Sequence, residues 1–277
     1  MTLLVPTDFS KASKTAVLFA INLARKLGGE VQILHVVQAN PSGETLMKWK
    51  KLEEEMIRMA QEDGDALMAE INTTIRGKKP PVSFHIRQGY DFTIIVNHVA
   101  EEIDADLIVM GTTGASGLKK ALLGSHAAAM MNTATLPVLA VPAESKYSRI
   151  AKMVYATDLK HTEDEIKTVA MFAQLIGARV EVLHVVKQKT KALPDPKIFS
   201  KTLQDIAQYK KITFHVVKGE KVANAVDSFV KKQKAQLLTT FTHKLDFFEK
   251  LFGKGITRKL AYHIRVPILT FNKTTLR

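Results

Sequence analysis

The sequence contains no cysteine among its 277 residues. Disulfide bridges, thiolate metal sites and cysteine nucleophiles are therefore excluded, and the composition fits a reducing compartment. Long apolar runs are also missing: runs such as Leu107–Met110 and Leu136–Pro142 are far below the roughly 18 residues that span a bilayer. The segment from Met1 to Pro6 lacks the basic and apolar regions of a secretory signal. We therefore expect a soluble cytoplasmic protein.

Low-complexity tracts rich in Gly, Pro, Ser or Gln are absent. The chain is instead 46% hydrophobic and 24% charged, a balance that allows a large buried core rather than a disordered chain. At this length, one large or two ordinary domains are expected.

The excess of positive over negative charge lies in the second half of the chain. Residues 1–145 contain 14 Lys or Arg and 16 Asp or Glu, whereas residues 146–277 contain 26 and 11. A solvated lysine-rich surface accounts for this excess, and an anionic partner is the alternative. The sequence has no RNP-type aromatic motif, no helix-turn-helix and no zinc-ligand spacing, so nucleic acid is not the expected partner.

The two halves repeat one plan, which predicts a duplication. The matching segments, in the same order in both halves, are Val5–Asp8 with Tyr155–Asp158, Val31–Val37 with Val180–Val186, Val82–Ile86 with Ile212–Val216, and Leu136–Leu139 with Val266–Leu269. The second copy lacks about 19 residues between its second and third strands. We expect one domain over residues 1–145 and another over 146–277.

Short β-branched runs alternate with helical patterns within each copy. In the first copy the predicted strands are Leu3–Pro6, Val31–Val37, Val82–Gln88, Leu107–Gly111 and Val138–Val141, and the predicted helices are Lys11–Leu27, Ser42–Gly77, Asp91–Asp104 and Ser125–Thr133. This alternation predicts a doubly wound α/β fold with a parallel sheet in each half. Ligands of such sheets bind beyond the carboxyl ends of the strands, so functional residues are expected just after Pro6, Val37 and Met110.

A glycine-rich loop follows the fourth predicted strand. Gly111, Gly114 and Gly124 allow close approach of backbone to a ligand, and Ser125 opens a helix whose first N–H groups are unpaired. Such a helix start binds phosphate through its amides and its dipole. The alternative is that these glycines only end a strand and cap a helix.

The spacing of Gly111, Gly114, Gly124 and Ser125 resembles the ATP-binding signature of the universal stress protein family. The Val-Pro-Thr-Asp start, the Leu-His-Val-Val strand and the Leu-Pro-Val-Leu strand are also similar to that family, so the resemblance covers both halves. It implies a tandem member with a five-stranded sheet of order 3-2-1-4-5 per domain, Rossmann-like in type. It also implies pairing of the last strands into an internal pseudo-dimer, with further pairing of two chains.

The same resemblance implies that ATP is bound by some members and not by others, and which residues would hold it here. The expected ligand of this chain is ATP, with or without Mg²⁺ as its companion ion. Asp8 is expected at the adenosine, Val36 at the adenine, and Gly124, Ser125 and His126 at the outer phosphates. His126 is expected to replace in part a basic residue that many members carry where Thr113 stands. The expected nucleotide-binding set is Pro6, Thr7, Asp8, Val36, Met110, Gly111, Thr113, Gly114, Gly124, Ser125 and His126.

Individual residues also have plain structural alternatives. Asp8 could cap the helix that begins near Ser10. The histidines that repeat with the strands are interpreted as structural, since no second ligand stands at metal-binding spacing; they are His35, His85, His184 and His215.

The second copy has lost the loop. At a constant offset of 130 residues, Gly111 becomes Phe241, Gly114 becomes Lys244, Gly124 becomes Lys254 and Ser125 becomes Gly255. Bulky side chains then stand where backbone must approach phosphate, so no ATP is expected in the second domain.

Three functions fit these observations. The first is a stress-response regulatory protein that binds ATP in its first domain and signals through domain or subunit association. The second is a slow ATPase or phosphotransferase, which the absence of a carboxylate between Gly111 and His126 disfavours. The third is a nucleotide-free interaction scaffold. We do not expect an efficient enzyme.

Overall fold

The computed structural model describes residues 1–38, 46–112, 124–186, 194–242 and 265–272. Its strands are β1 (Thr2–Thr7), β2 (Glu30–Val37), β3 (Val82–Gln88), β4 (Leu107–Gly111), β5 (Val138–Val141), β6 (Lys152–Thr157), β7 (Arg179–Val186), β8 (Ile212–Lys218), β9 (Leu237–Phe241) and β10 (Ile268–Phe271). Its helices are α1 (Lys11–Leu27), α2 (Leu46–Thr74), α3 (Phe92–Glu102), α4 (Ser125–Thr133), α5 (Thr162–Ile176), α6 (Pro196–Ala207) and α7 (Val222–Gln233).

The strands form one ten-stranded sheet of order β3-β2-β1-β4-β5-β10-β9-β6-β7-β8. Each half has the order 3-2-1-4-5, and all neighbours within a half are parallel. Between the halves, β5 and β10 pair antiparallel, with Leu139 opposite Leu269. The predicted fold class is confirmed, and the two half-sheets join edge to edge at their last strands.

The predicted elements agree with the structure apart from their ends. β1 is one residue longer at each end than predicted, and α4 has the predicted bounds. Helix α2 lies inside the predicted span Ser42–Gly77 and ends at Thr74. Helix α6 has 12 residues where α2 has 29, in line with the shorter second copy.

Helix α1 illustrates how local sequence defines an element. Ser10 caps its start by accepting a hydrogen bond from the Ser13 amide, and Gly28 ends it with a left-handed φ of 68°. Asp8 does not cap this helix, so that alternative is wrong. The α1 face with small and apolar residues, from Ala12 to Ala24, is buried against the sheet.

The core has two layers because both faces of the sheet are covered by helices. On one face, Leu3, Val5 and their neighbours pack beneath α1, α2, α5 and α6. On the other face, Leu4 and Ile108 pack beneath α3, α4 and α7. Strands buried on both faces explain the continuous apolar runs in the sequence.

The segment between β5 and β6 is held against α1. Lys11 forms an ion pair with Glu144 at 2.7 Å, the Thr15 hydroxyl donates to the Ala143 carbonyl oxygen, and Tyr147 packs edge-on against Phe19. None of the helices in the described ranges is long and apolar enough to cross a membrane.

Candidate functional site

A cavity of about 310 Å³ lies at the carboxyl end of the first half-sheet, within the usual size range of small-molecule sites. Nine residues of the predicted set line it, namely Pro6, Thr7, Asp8, Val36, Met110, Gly111, Gly124, Ser125 and His126. Residues that the sequence did not single out complete the lining; they are Ser13, His35, Gln38, Phe92 and Ala127. The other two predicted residues, Thr113 and Gly114, lie outside the described ranges.

The turn between β1 and α1 forms one wall of this cavity. The Thr7 hydroxyl donates to the Ser13 hydroxyl at 3.0 Å and accepts from the Phe9 amide. The Asp8 carboxylate accepts from the Ser10 amide at 3.1 Å, which is an Asx turn. Asp8 is exposed to solvent. The turn is thus held by its own side chains, with a carboxylate at the rim of the cavity.

His35 both joins two strands and lines the cavity. Its Nδ1 lies 2.8 Å from the Thr7 carbonyl oxygen, so this nitrogen carries the proton and Nε2 of the neutral ring is an acceptor. His184 makes the same contact with Thr157 at 3.0 Å in the second half. The prediction that His35 is structural therefore accounts for its contact with Thr7. It does not account for the position of His35 in the cavity lining, which sequence periodicity could not show.

Helix α1 packs so closely against Gly111 that it leaves no space for a side chain at this position. A Cβ built on Gly111 would lie 2.7 Å from the Ala12 carbonyl carbon and 2.9 Å from the Ser13 amide nitrogen. The expectation that this glycine leaves room for a ligand is corrected, since backbone of α1 fills that space. At the matching position Phe241 is buried and packs against Tyr155 and Phe271.

The start of α4 faces the cavity with few side-chain atoms in the way. Gly124 precedes the helix with no side-chain cap, and its own amide donates to the Thr112 carbonyl oxygen at 2.5 Å. Gly124 therefore does not offer its N–H to a ligand, which corrects that part of the prediction. The first-turn amides of Ser125, His126 and Ala127 have no acceptor inside the helix. Together with the helix dipole, they make a local site for an anion.

His126 stacks on Phe92, the first residue of α3. Their ring centroids are 4.3 Å apart and the planes differ by 9°. Asp91 caps α3 by accepting from the Thr93 hydroxyl and from the amides of Thr93 and Ile94. These bonds, the Thr93 hydroxyl first, lower the pKa of Asp91, and the nearby His126 acts in the same direction. Phe92 directly follows the turn between β3 and α3. Its position at the carboxyl end of the half-sheet could therefore have been predicted from the strand order.

Other lining residues are less polar. Met110 is 4% exposed and Val36 is partly buried. The Gln38 side-chain amide nitrogen donates to the Tyr90 carbonyl oxygen at 3.0 Å, so the end of β2 is tied to the turn before α3. Apolar side chains and the free amides of the α4 start therefore line one cavity.

The cavity has few groups suited to acid–base or metal chemistry. Asp8 is the only carboxylate among its described lining residues. Within the described ranges, no three His, Asp or Glu side chains are grouped as metal ligands.

These features define a doubly wound α/β protein with an anion-accepting cavity in its first half. Residues 1–142 match the model of the universal stress protein family. Universal stress protein MJ0531 of Methanocaldococcus jannaschii is 32% identical over 146 residues, covering 52% of this chain and 83% of that protein. Universal stress protein A homolog 1 of Coxiella burnetii is 30% identical over 142 residues, covering 50% and 94%.

A solved structure is similar over both halves. The universal stress protein from Archaeoglobus fulgidus aligns with 98% of this chain and 96% of its own, at a TM-score of 0.70 and 19% identity. At that identity the likeness concerns the fold. The chain belongs to the universal stress protein family, and this membership supports a role in the response to stress.

Proposed function

We propose that this chain is a stress-response regulatory protein that binds ATP in the cavity of its first half. The observation that carries the proposal is the start of α4. Three amides of its first turn and the Ser125 hydroxyl border a cavity that Val36 and Met110 also line. A polyanionic group attached to an aromatic base matches this combination of free amides and apolar side chains.

The proposed contacts follow from the lining residues. The amides of residues 125–127 and the Ser125 hydroxyl would hold phosphate oxygens, and the His126 ring would add a donor. Val36 would contact the adenine, Met110 would line the ribose and phosphates, and the rim carboxylate of Asp8 would accept from ribose hydroxyls. Bound Mg²⁺ would neutralise part of the phosphate charge. The proposed site also includes the lining residues Pro6, Thr7, Gly111 and Gly124 and, from sequence alone, Thr113 and Gly114.

We further propose that the domains span residues 1–145 and 146–277 and that only the first binds ATP. Lys244 and Lys254, which stand where the first half has Gly114 and Gly124, support this asymmetry. Binding would act through association of the two halves and of two chains, in the cytoplasm. Because the cavity has one carboxylate and no metal-ligand group in the described ranges, binding is proposed without efficient hydrolysis.

Calorimetric titration of the full chain with ATP tests this function. The expected result is one ATP bound per chain. Ser125→Glu places a carboxylate in the first turn of α4, where the dipole favours it, so the helix should remain stable. The same carboxylate repels phosphate, so ATP affinity should fall at least 50-fold. Ser125→Gln is the control of equal size without charge and should retain most of the affinity.

Three other results would contradict the proposal. If the unmodified chain binds no ATP at millimolar concentration, the nucleotide-free scaffold is correct. If phosphate release proceeds at several turnovers per minute and stops in Ser125→Glu, the protein is an ATPase. Equal affinities of Ser125→Glu and Ser125→Gln would show that the phosphates lie elsewhere.

A further inference from the structure

The amino-terminal edge of the second half-sheet carries a row of cations, which we name the basic edge. It is formed by the loops that enter β10, β9, β6, β7 and β8. Its exposed cations, in the described ranges, are Arg265, Lys234, Arg149, Arg179, Lys210 and Lys211. In the described part of the chain, none of the six forms an ion pair.

Hydrogen bonds between neighbouring loops arrange these cations in strand order. The Leu238 amide donates to Pro267 and the Gln236 amide to Lys152, which joins the entries of β10, β9 and β6. The Arg179 amide donates to Ala151, and the Val180 amide to Lys211. With strands about 4.8 Å apart, the row spans about 20 Å. The basic edge is therefore linear and held by backbone.

The fold does not require positive charge at these positions, because the first half has carboxylates at two of them, Asp104 for Lys234 and Glu30 for Arg179. Asp104 and Lys234 both follow a helix with left-handed φ values of 48° and 51°. Asp106 accepts from the Thr2 amide, as Gln236 accepts from the Lys152 amide. The second half thus keeps the hydrogen bond to the first strand while Gln236 lacks the charge of Asp106. At the neighbouring position Lys234 reverses the charge of Asp104.

The entry of the second strand of each half shows the same reversal. Glu30 lies beside Thr2 in the register of β1 and β2, and Arg179 lies beside Lys152 in the register of β6 and β7. Proline residues 80 and 81 precede β3, whereas Lys210 and Lys211 precede β8. Helix dipoles explain only part of this excess of positive charge. The described helices that end at the basic edge, α5, α6 and α7, contribute about −0.5 charge each, whereas the edge carries six cations.

We propose that the basic edge binds the phosphate backbone of duplex nucleic acid, independently of base sequence. A linear row of unpaired cations matches a linear row of phosphates, and such contacts need charge and no recognition motif. The absence of known motifs concerns base readout and leaves this mode open. Single strands are usually held by stacking on exposed aromatic rings. In the described loops of the basic edge the aromatic side chains, Tyr147 and Tyr209, are half-buried. Tyr147 packs on Phe19, and the Tyr209 hydroxyl is bonded to the Ala178 carbonyl oxygen.

The test uses the full chain and a fluorescent 20-base-pair duplex, with binding followed by anisotropy at several salt concentrations. Arg179→Glu/Lys234→Asp installs the first half's residues at the matching positions, so the fold should accept them. This variant should bind the duplex at least 10-fold more weakly at 50 mM salt. Loss of two phosphate contacts should also reduce the slope of log affinity against log salt by about 2.

The matched control is Lys26→Glu/Lys78→Glu, which changes the net charge equally at exposed positions of the first half. It should lower the affinity less than 3-fold and leave the slope unchanged. Equal losses in the two variants, or no duplex binding by the unmodified chain at 50 mM salt, would overturn the proposal. Tighter binding of single-stranded RNA, of inorganic polyphosphate or of vesicles with anionic lipid than of the duplex would overturn it as well. The result is independent of ATP binding, because no residue of the cavity is changed.

Discussion

The imidazole of His126 lies parallel to the ring of Phe92, with 4.3 Å between centroids. The stack fixes the ring beside the first turn of α4, where the proposed phosphates would lie. His126→Phe keeps an aromatic ring there and removes the N–H donors. ATP affinity should fall about 10- to 150-fold, the effect of one charge-assisted hydrogen bond, while adenosine affinity stays the same. Calorimetric titration with both ligands measures the difference.

The control for that experiment is Thr133→Ala at the other end of α4, where the hydroxyl bonds the helix's own Ala129 carbonyl oxygen. It should change neither affinity. Equal losses for ATP and adenosine in His126→Phe would show that His126 shapes the cavity rather than contacting phosphate.

Gly111→Ala should destabilise the protein by about 1–3 kcal/mol, because its Cβ would overlap backbone atoms of Ala12 and Ser13. Urea denaturation at pH 7 measures this change. Gly124→Ala is the matched control, since Gly124 has a φ of −58° that alanine readily adopts, and it should cost less than about 1 kcal/mol. Similar losses in the two variants would disprove the close approach of α1 to β4.

Tyr155→Phe should destabilise the second half. The Tyr155 hydroxyl donates to the Glu165 carboxylate, and both residues are buried, at 0% and 5% exposure. Removing the donor leaves a buried carboxylate with one partner fewer, which costs about 1–3 kcal/mol. Denaturation followed by circular dichroism at pH 7 measures the change, and Tyr209→Phe, which removes a hydroxyl bonded to a carbonyl oxygen, is a comparison with a neutral acceptor. An effect no larger than that of Tyr209→Phe would contradict the expectation.

The same tyrosine predicts a pH dependence. Burial first, and then the charge of Glu165, raise the pKa of Tyr155 well above its usual value of 10.0. Above pH 10 the unfolded chain loses this proton while the folded chain keeps it, so the free energy of unfolding decreases as pH rises. Between pH 9 and pH 11 the unmodified chain should therefore lose more stability than Tyr155→Phe. If the free energies of unfolding of the two proteins fell in parallel with pH, the raised pKa of Tyr155 would be refuted.

Leu139 and Leu269 face each other where β5 and β10 pair, and both are fully buried. Each change to alanine should cost about 2–5 kcal/mol. Because the two side chains are cross-strand neighbours, the double variant should depart from additivity by about 0.5–3 kcal/mol. Leu139→Ala combined with Leu203→Ala on α6 is the control pair and should be additive. Additivity for both pairs would show that the two leucines do not couple the halves.

Much of the fold was predictable because its signals are local. The bounds of α4, the carboxyl-end position of Asp8 and Ser125, and the repeat of β2 as β7 all follow from short patterns that depend on neighbouring residues. The parallel order within each half follows from the alternation of strands and helices.

The rest depends on contacts between distant segments. The reason for Gly111 is the backbone of Ala12, nearly 100 residues earlier, and no local pattern contains that contact. Ser10 rather than Asp8 caps α1 because two polar residues compete in one turn, and composition does not decide between them. The stack of Phe92 on His126 joins two different helices, α3 and α4. The periodicity of either helix alone therefore could not predict this contact.

The antiparallel junction of β5 and β10 lies within a single polypeptide. A tether of this kind gives the two partners an effective concentration in the millimolar range, so their union survives dilution that would dissociate separate subunits. The two halves are also encoded by separate stretches of the sequence. Substitutions can therefore change the binding site or the surface of one half without changing those of the other.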